Sequence, residues 1–230
     1  MLPLDLSQIS VSYPGLLSPV LDIPSLSIVA GSRVVVTGAS GSGKSTLVNI
    51  LTGLEHCAAG GSIRWGGTDI AAMSERSRDR WRGAHIGLVM QDFHLFPGLS
   101  AVDNILLPAR LSRAMQPGDP DRALMLLYAV GLCRAGQKVE TMSRGEMQRV
   151  AIARALLRKP GVLIADEPTA SLDSDSGDAV ARLLIDLSVS NESTLIVVSH
   201  DPRLTDRLDR RITLSAGRIA SDREHREMAA

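Results

Sequence analysis

Apolar residues recur along the chain in two rhythms, and the switches between them lay out its elements. Up to about Gly31, apolar and polar residues alternate: Leu4, Leu6, Ile9 and Val11, then Leu21, Ile23, Leu26 and Ile28. A period of two marks half-buried strands, and Pro14, Pro19 and Pro24 interrupt the run, so short antiparallel strands joined by turns are predicted. Arg33-Val34-Val35-Val36-Thr37 reads as a buried strand, followed by an apolar-faced helix over residues 44–54 that Gly53 closes. Gly60-Gly61-Ser62-Ile63-Arg64-Trp65-Gly66-Gly67 reads as a hairpin, residues 74–82 as a polar helix and residues 86–90 as a strand. Helical spacing holds from Ser100 to Gly131, where Pro108, Pro117, Gly118 and Pro120 split it into two helices, the second opening near residues 119–121. Helix and strand then alternate: helix 143–157, strand 162–165, helix 174–187, strand 194–199 and a closing hairpin over 211–219. The last ten residues are polar and charged, which predicts a frayed helix or a loose tail.

This order predicts an α/β fold built as one domain over residues 1–230, with a mainly parallel sheet at its centre. An antiparallel β subdomain precedes the core, and an α-helical subdomain over about residues 95–160 is inserted in it. Hydrophobic residues make up 44% of the chain and aromatics only 3%, so the core is built mostly from Leu, Val, Ile and Ala. So few stacking platforms argue against single-stranded nucleic acid as a partner. Lys plus Arg and Asp plus Glu number 25 each, so no polyanion-seeking field arises either.

The segment Gly38-Ala39-Ser40-Gly41-Ser42-Gly43-Lys44-Ser45-Thr46 changes the picture from fold to chemistry. It fits G-x-x-x-x-G-K-[ST], the loop that wraps the phosphates of ATP or GTP, so the core is of the P-loop NTPase type. Backbone N–H groups at the start of a helix cradle the phosphates, Lys44 reaches the β- and γ-phosphates, and the Ser45 hydroxyl holds Mg²⁺. A second signal is Val162-Leu163-Ile164-Ala165-Asp166-Glu167, an apolar strand ending in two acids at the edge where such sheets bind ligands. Asp166 is the expected carboxylate on the Mg²⁺ side, directly or through water, and Glu167 is placed to polarise the attacking water. The plainer account is an acidic pair that caps the next helix. Ser143 with Glu146 satisfies a capping box, yet a helix start with a serine hydroxyl and a glycine N–H is also an anion site. Spacing leaves open whether that anion belongs to this chain's nucleotide or to a neighbour's.

Cys57 and Cys133 have no metal-like spacing; since a P-loop enzyme works in the reducing cytosol, buried or half-buried thiols are expected rather than a disulfide. The N-terminus lacks the basic and apolar regions of a signal peptide, and no apolar run approaches the ~20 residues that span a bilayer. A soluble cytoplasmic protein is expected, with membrane contact only through another chain.

Taken together, these motifs resemble the nucleotide-binding subunits of ABC (ATP-binding cassette) transporters over nearly the whole chain. Met142-Ser143-Arg144-Gly145-Glu146 resembles the family signature L-S-G-G-Q, and Gln91 resembles the glutamine of its Q-loop. Pro168-Thr169-Ala170-Ser171-Leu172-Asp173 resembles the D-loop, His200 the switch histidine, and Tyr13 the aromatic that stacks on adenine. The resemblance implies a head-to-tail dimer in which each ATP lies between one chain's P-loop and the other's signature. It makes Glu167, His200 and Gln91 catalytic, gives Gln91 a part at the metal, sets Ser143 and Gly145 at the nucleotide of the partner copy, and counts Asp173 among the nucleotide-binding residues. His56, His85, His94 and His225 have no such support and are expected to be structural or solvated.

Arg144 replaces the signature's first glycine, and a bulky cation there could either attract phosphate or hinder closure. The segment from Gly87 to Pro108 resembles the lipoprotein-release, macrolide-efflux and cell-division branch. There, this surface takes a coupling helix from the membrane subunit. Phe93, Leu95, Phe96 and Leu99 are apolar for a loop, which suits docking on a permease, although packing of the helical subdomain would use them too. The branch implies an ATPase that drives a separately encoded permease in export or extraction of a lipid, lipoprotein or peptide-like substrate. The alternative is a regulatory cassette of the cell-division type that gates a periplasmic hydrolase without transport.

Overall fold

The structure, a computed structural model, describes residues 1–224. Strands β1 (Leu4–Val11), β2 (Leu21–Ile28) and β3 (Arg33–Thr37) lead into helix α1 (Lys44–Thr52). β4 (Ser62–Trp65) and the short β5 (Thr68–Asp69) turn on Gly66 and Gly67, and α2 (Glu75–His85) runs directly into β6 (Ile86–Val89). Three helices follow, α3 (Ala101–Leu111), α4 (Asp119–Ala129) and α5 (Arg144–Leu156). The described chain ends with β7 (Val162–Asp166), α6 (Ser174–Ser190), β8 (Thr194–Val198), the short α7 (Pro202–Thr205), β9 (Arg210–Ser215) and β10 (Arg218–Glu224).

Two sheets result. The smaller is antiparallel, in the order β2-β1-β4-β5; the larger, β10-β9-β3-β8-β7-β6, is parallel except for β10. The central strands β3, β7 and β8 are buried on both faces, which is why they read as unbroken apolar runs. Their alternation divides the interior in two. Val35, Leu163, Ala165, Leu195 and Val197 face the layer formed by α3 to α6. Val34, Val36, Val162, Ile164, Ile196 and Val198 face the other way, onto α1 and the inner side of the antiparallel sheet. α1 is thus gripped between sheets, with Leu47, Val48, Ile50 and Leu51 buried.

The C-terminal end of α1 is held by distant residues. A helix leaves its last four carbonyls without intrahelical partners. Here Gly53, at φ 66, donates its N–H to Ile50 O, and Leu54 N–H reaches Asn49 O at 2.8 Å. The Trp65 indole donates to Leu51 O at 2.9 Å, and Arg82 Nη1 lies 3.4 Å from both Thr52 O and Gly53 O. All four carbonyls are satisfied, and the helix is fixed in place.

Several elements differ from their sequence expectations. Pro24 lies inside β2 rather than interrupting it: β2 is an edge strand, and the ladder skips Gln8 and Pro24 between the Ser7–Ser25 and Ile9–Ile23 pairs. Pro108 sits inside α3, because the buried face formed by Ala101, Ile105, Leu106 and Ala109 carries the helix past it to Leu111. The hairpin expected at residues 60–67 lies at 62–69, with Gly60 and Gly61 forming the turn before it. Of the expected loose tail, Ser221 to Glu224 belong to β10, paired with β9, while His225 and the residues after it lie outside the described residues. Both thiols are free, but Cys133 is exposed and only Cys57 is half-buried, since Leu132 rather than Cys133 fills the core beyond α4.

Trp65 is 1% exposed and carries one of the bonds that hold α1. Trp65→Phe is expected to lower stability by about 1–3 kcal/mol, the cost of a buried carbonyl left unpaired. Urea denaturation reads this as a lower midpoint at unchanged slope.

Candidate functional site

The loop after β3 delivers the chain into α1 through Gly43, which caps the helix at φ 99. A Cβ there would come within 2.7 Å of the Val20 carbonyl oxygen, so this cap must be glycine. α3, α5 and α6 each start with a serine or aspartate whose side chain accepts from the first turn. α1 has neither a capping side chain nor an acid in its first turn. Its N–H groups and the positive end of its dipole are therefore left for an external anion. Lys44 Nζ bridges the carbonyls of Gly38 and Ala39 at 2.8 and 2.9 Å, while Ser42 Oγ is buried without a hydrogen-bond partner.

A cavity of about 650 Å³ opens on this loop. Gly38, Ala39, Ser40, Gly41, Gly43, Lys44, Ser45 and Thr46 line it, together with Gln91, Asp166, Glu167 and His200. Three of these come from the C-terminal ends of neighbouring parallel strands, with Asp166 of β7 in register with Val198 of β8. Burial raises the Asp166 pKa, and the adjacent Glu167 carboxylate raises it further; a hydrogen bond from Ser45 and the Lys44 charge work against that. Glu167 has a positive φ of 45, a conformation that costs a side-chain-bearing residue energy and persists only when the surroundings hold it. They do: its N–H bonds Val198 O at 2.8 Å, Ser199 Oγ donates to Oε2 at 3.2 Å, and His200 Nδ1 lies 3.0 Å from Oε1. The Glu167 side chain is 14% exposed and that of His200 79%, so a shielded carboxylate meets an open imidazole.

Ser42, Tyr13, Ser143, Gly145 and Asp173 do not line this cavity. Tyr13 is exposed beside it, with Glu55 at its hydroxyl as the main cause of a raised pKa and Thr46 acting the other way. Ser143 forms a complete capping box with Glu146: Ser143 Oγ accepts from Glu146 N at 3.2 Å, and Glu146 Oε2 accepts from Ser143 N at 2.8 Å. Asp173 caps α6 by accepting from Ser176 N at 2.9 Å. Of the apolar loop residues, Leu95 packs on the helical core, Phe93 and Leu99 are half-buried, and Phe96 is 53% exposed.

Sequence reasoning missed Val20, which lines the cavity, and Ser199, which bonds Glu167; a serine ending an apolar strand beside His200 was a readable signal, whereas Val20 had none. It also missed a brace beneath the two strand ends. Thr169 Oγ1 donates to Asp201 Oδ2 at 2.5 Å, Arg203 Nε bonds both Asp201 oxygens at 2.9 Å, and Arg203 Nη1 reaches Ser174 O at 2.9 Å. Burial alone would raise the Asp201 pKa, but the bonds from Arg203 and Thr169 pull it down to about 2.

A free helix start behind a glycine loop, with carboxylates on the adjoining strand ends, defines a P-loop nucleotide-binding domain with a helical layer inserted between β6 and β7. The chain belongs to the ABC transporter family, whose description matches residues 21–170, and is an ATP-binding ATPase domain of that family. It is 45% identical over 205 residues to the macrolide export ATP-binding/permease protein MacB of Burkholderia thailandensis, covering 89% of this chain. The chain spans only 31% of the length of that relative. It is 42% identical over 217 residues to the lipoprotein-releasing system ATP-binding protein LolD of Anaeromyxobacter dehalogenans, covering 93% of this chain and 90% of that one. The solved dimeric structure of a post-hydrolysis state of the cassette MJ0796, bound to ADP and Pi, matches with a TM-score of 0.87 at 32% identity. That match covers 98% of this chain and 100% of the other. Among the described residues, no helix is long and apolar enough to cross a membrane.

Asp201→Ala is expected to cost about 1.5–3 kcal/mol at neutral pH, the worth of a hydrogen bond to a charged group. Because the folded-state pKa lies below the ordinary 3.8, this stability is present above that value and is lost as pH falls towards about 2. Urea titrations from pH 7 to 2 are expected to show the wild type and the variant converging across that window.

Proposed function

We propose that the chain binds ATP with Mg²⁺, hydrolyses it in a site completed by a second copy, and so drives a separately encoded membrane permease from the cytoplasmic face. The observation that carries this reading is Glu167, held in a costly conformation with its carboxylate aimed by Ser199 and His200 at the edge of the phosphate loop. The triphosphate would lie along the bare start of α1, drawing Lys44 Nζ off the Gly38 and Ala39 carbonyls and onto the β- and γ-phosphates. Each carboxylate oxygen keeps a free lone pair beyond its present bond, so Glu167 can take the proton of the attacking water while His200 and Ser199 hold it in place. The bond from the γ-phosphorus to the bridging oxygen then breaks, leaving ADP and phosphate. Gln91, on the loop after β6, lines the same cavity, which supports its part in orienting that water and reporting the γ-phosphate.

The donors around the cavity fit Mg²⁺. Ser45, Gln91 and Asp166 offer hard oxygens, and Mg²⁺ ordinarily takes one or two carboxylates together with substrate phosphates and water. Asp166, disfavoured as an anion by burial and by Glu167, gains from a cation beside it. When bound, Mg²⁺ supplies neutralisation of the phosphate charge.

Ser143, Gly145 and Asp173, away from this chain's own cavity, are assigned to the second copy's nucleotide. Ser143 Oγ accepts the Glu146 N–H, which leaves the hydroxyl hydrogen free to donate to a phosphate. A Cβ on Gly145 would stand 3.1 Å from Ser176 Oγ of α6, so glycine there also serves close packing. The dimeric form of the MJ0796 structure supports this arrangement, and Tyr13, with its ring exposed beside the loop, is the adenine platform. The names of the relatives, export and release, support transport of a lipid, lipoprotein or peptide-like substrate over the gating of a hydrolase. Phe96 and its half-buried neighbours are the surface offered to the permease.

Glu167→Gln is expected to cut steady-state turnover by about 10²–10⁴ while leaving ATP binding intact, and to accumulate an ATP-bound dimer on sizing columns. Unchanged phosphate release would remove Glu167 from the role of base. Lys44→Ala is expected to weaken ATP binding by about tenfold or more, read by titration calorimetry, through loss of a charge-assisted contact to phosphate.

A further inference from the structure

Arg144, the first residue of α5, departs from the signature pattern, and its surroundings give it a partner other than phosphate. Its guanidinium carbon stands 5.7 Å from the centre of the Phe93 ring, within cation–π range. Among the described residues no carboxylate pairs with it and its side chain makes no hydrogen bond, so the ring is what fixes this exposed side chain. The pair sits at a groove of about 330 Å³ whose apolar lining includes Leu95, Val139 and Met147. The same helix grips the same loop a second time. Arg154 donates to Phe93 O at 2.7 Å and to His94 O at 2.6 Å. α5 thus holds the backbone of this segment from its last turn and the Phe93 ring from its first. Gln91 lies two residues before Phe93, and Ser143 immediately before Arg144.

We propose that Arg144 is a positioning residue, not a phosphate ligand: it pins the Gln91 loop to the Ser143 end of α5, so that both move together when the site closes. The proposal rests on the reading of Ser143 as a contact to the second copy's ATP; the pin itself is a property of the nucleotide-free chain. A glycine at this position would leave the Arg154 bonds as the remaining tie and would let the first turn of α5 shift against Phe93.

The test is a double-mutant cycle with Arg144→Gly, Phe93→Leu and the two combined. In the nucleotide-free protein, amide exchange over residues 91–98 is expected to rise about two- to fivefold in each single variant, the worth of an exposed cation–π pair, and no further in the double variant. In a Glu167→Gln background, the ATP concentration for half-maximal dimerisation is expected to rise by a similar factor, again without additivity, and Arg144→Lys is expected to recover part of the loss. If Arg144→Gly changes dimerisation as much in the Phe93→Leu background as in its absence, the ring is not its working partner and the proposal is overturned. Unchanged exchange in both single variants overturns it as well. If the parent protein forms no ATP-dependent dimer at all, the composite-site reading fails, while the exchange measurement still decides the pin.

Discussion

Helix α1 is satisfied at one end and bare at the other, and the architecture of the site depends on that asymmetry. Gly53, Leu54, Trp65 and Arg82 meet its last carbonyls, drawn from the helix's own exit, the antiparallel sheet and α2. Its first turn has no capping side chain and no acid. Burial of Leu47, Val48, Ile50 and Leu51 between the two sheets stops the helix from tilting to find other partners. The positive end of the dipole and its free N–H groups can therefore be relieved only by something that enters the cavity. A phosphate chain is the ligand that suits them.

The parallel sheet supplies the complementary half. Register between β7 and β8 puts Asp166 beside Val198, so the residues that follow, Glu167 on one strand and Ser199 and His200 on the next, meet at one edge. Two adjacent carboxylates, one of them held at a positive φ, are a poor arrangement for stability alone. Thr169, Asp201 and Arg203 brace the turns beneath them with bonds to a carboxylate held near a pKa of 2. Strain above and a charge-assisted brace below hold this edge in a fixed arrangement, and the brace lies in residues with no part in the proposed chemistry.

Much of this was legible in the chain. The buried strand, the glycine loop and α1 form one continuous segment, so local rules were enough to read them. The apolar run ending in Asp166 and Glu167 was likewise local. Misreadings arose where burial overruled a local signal. Pro108 rides inside α3 because the apolar face of that helix is buried past it, and Pro24 is tolerated because β2 is an edge strand. Cys133 is exposed because its neighbour Leu132 takes the core position, a choice that a two-residue pattern does not reveal.

The order of motifs, the class of nucleotide fold and the glycine-loop motif before α1 follow from the sequence by itself, since each is written in residues adjacent along the chain. Tertiary structure alone decided the rest. Val20 presses its carbonyl on Gly43, Ser199 and His200 aim Glu167, Asp201 takes bonds from Thr169 and Arg203, and Arg144 settles on Phe93. These pairs are separated by tens of residues in most cases, and what joins them is strand register and helix packing, not chain connectivity. The sequence shows which groups are present; the distances that give them chemistry exist only once the two sheets and the helical layer have closed around α1.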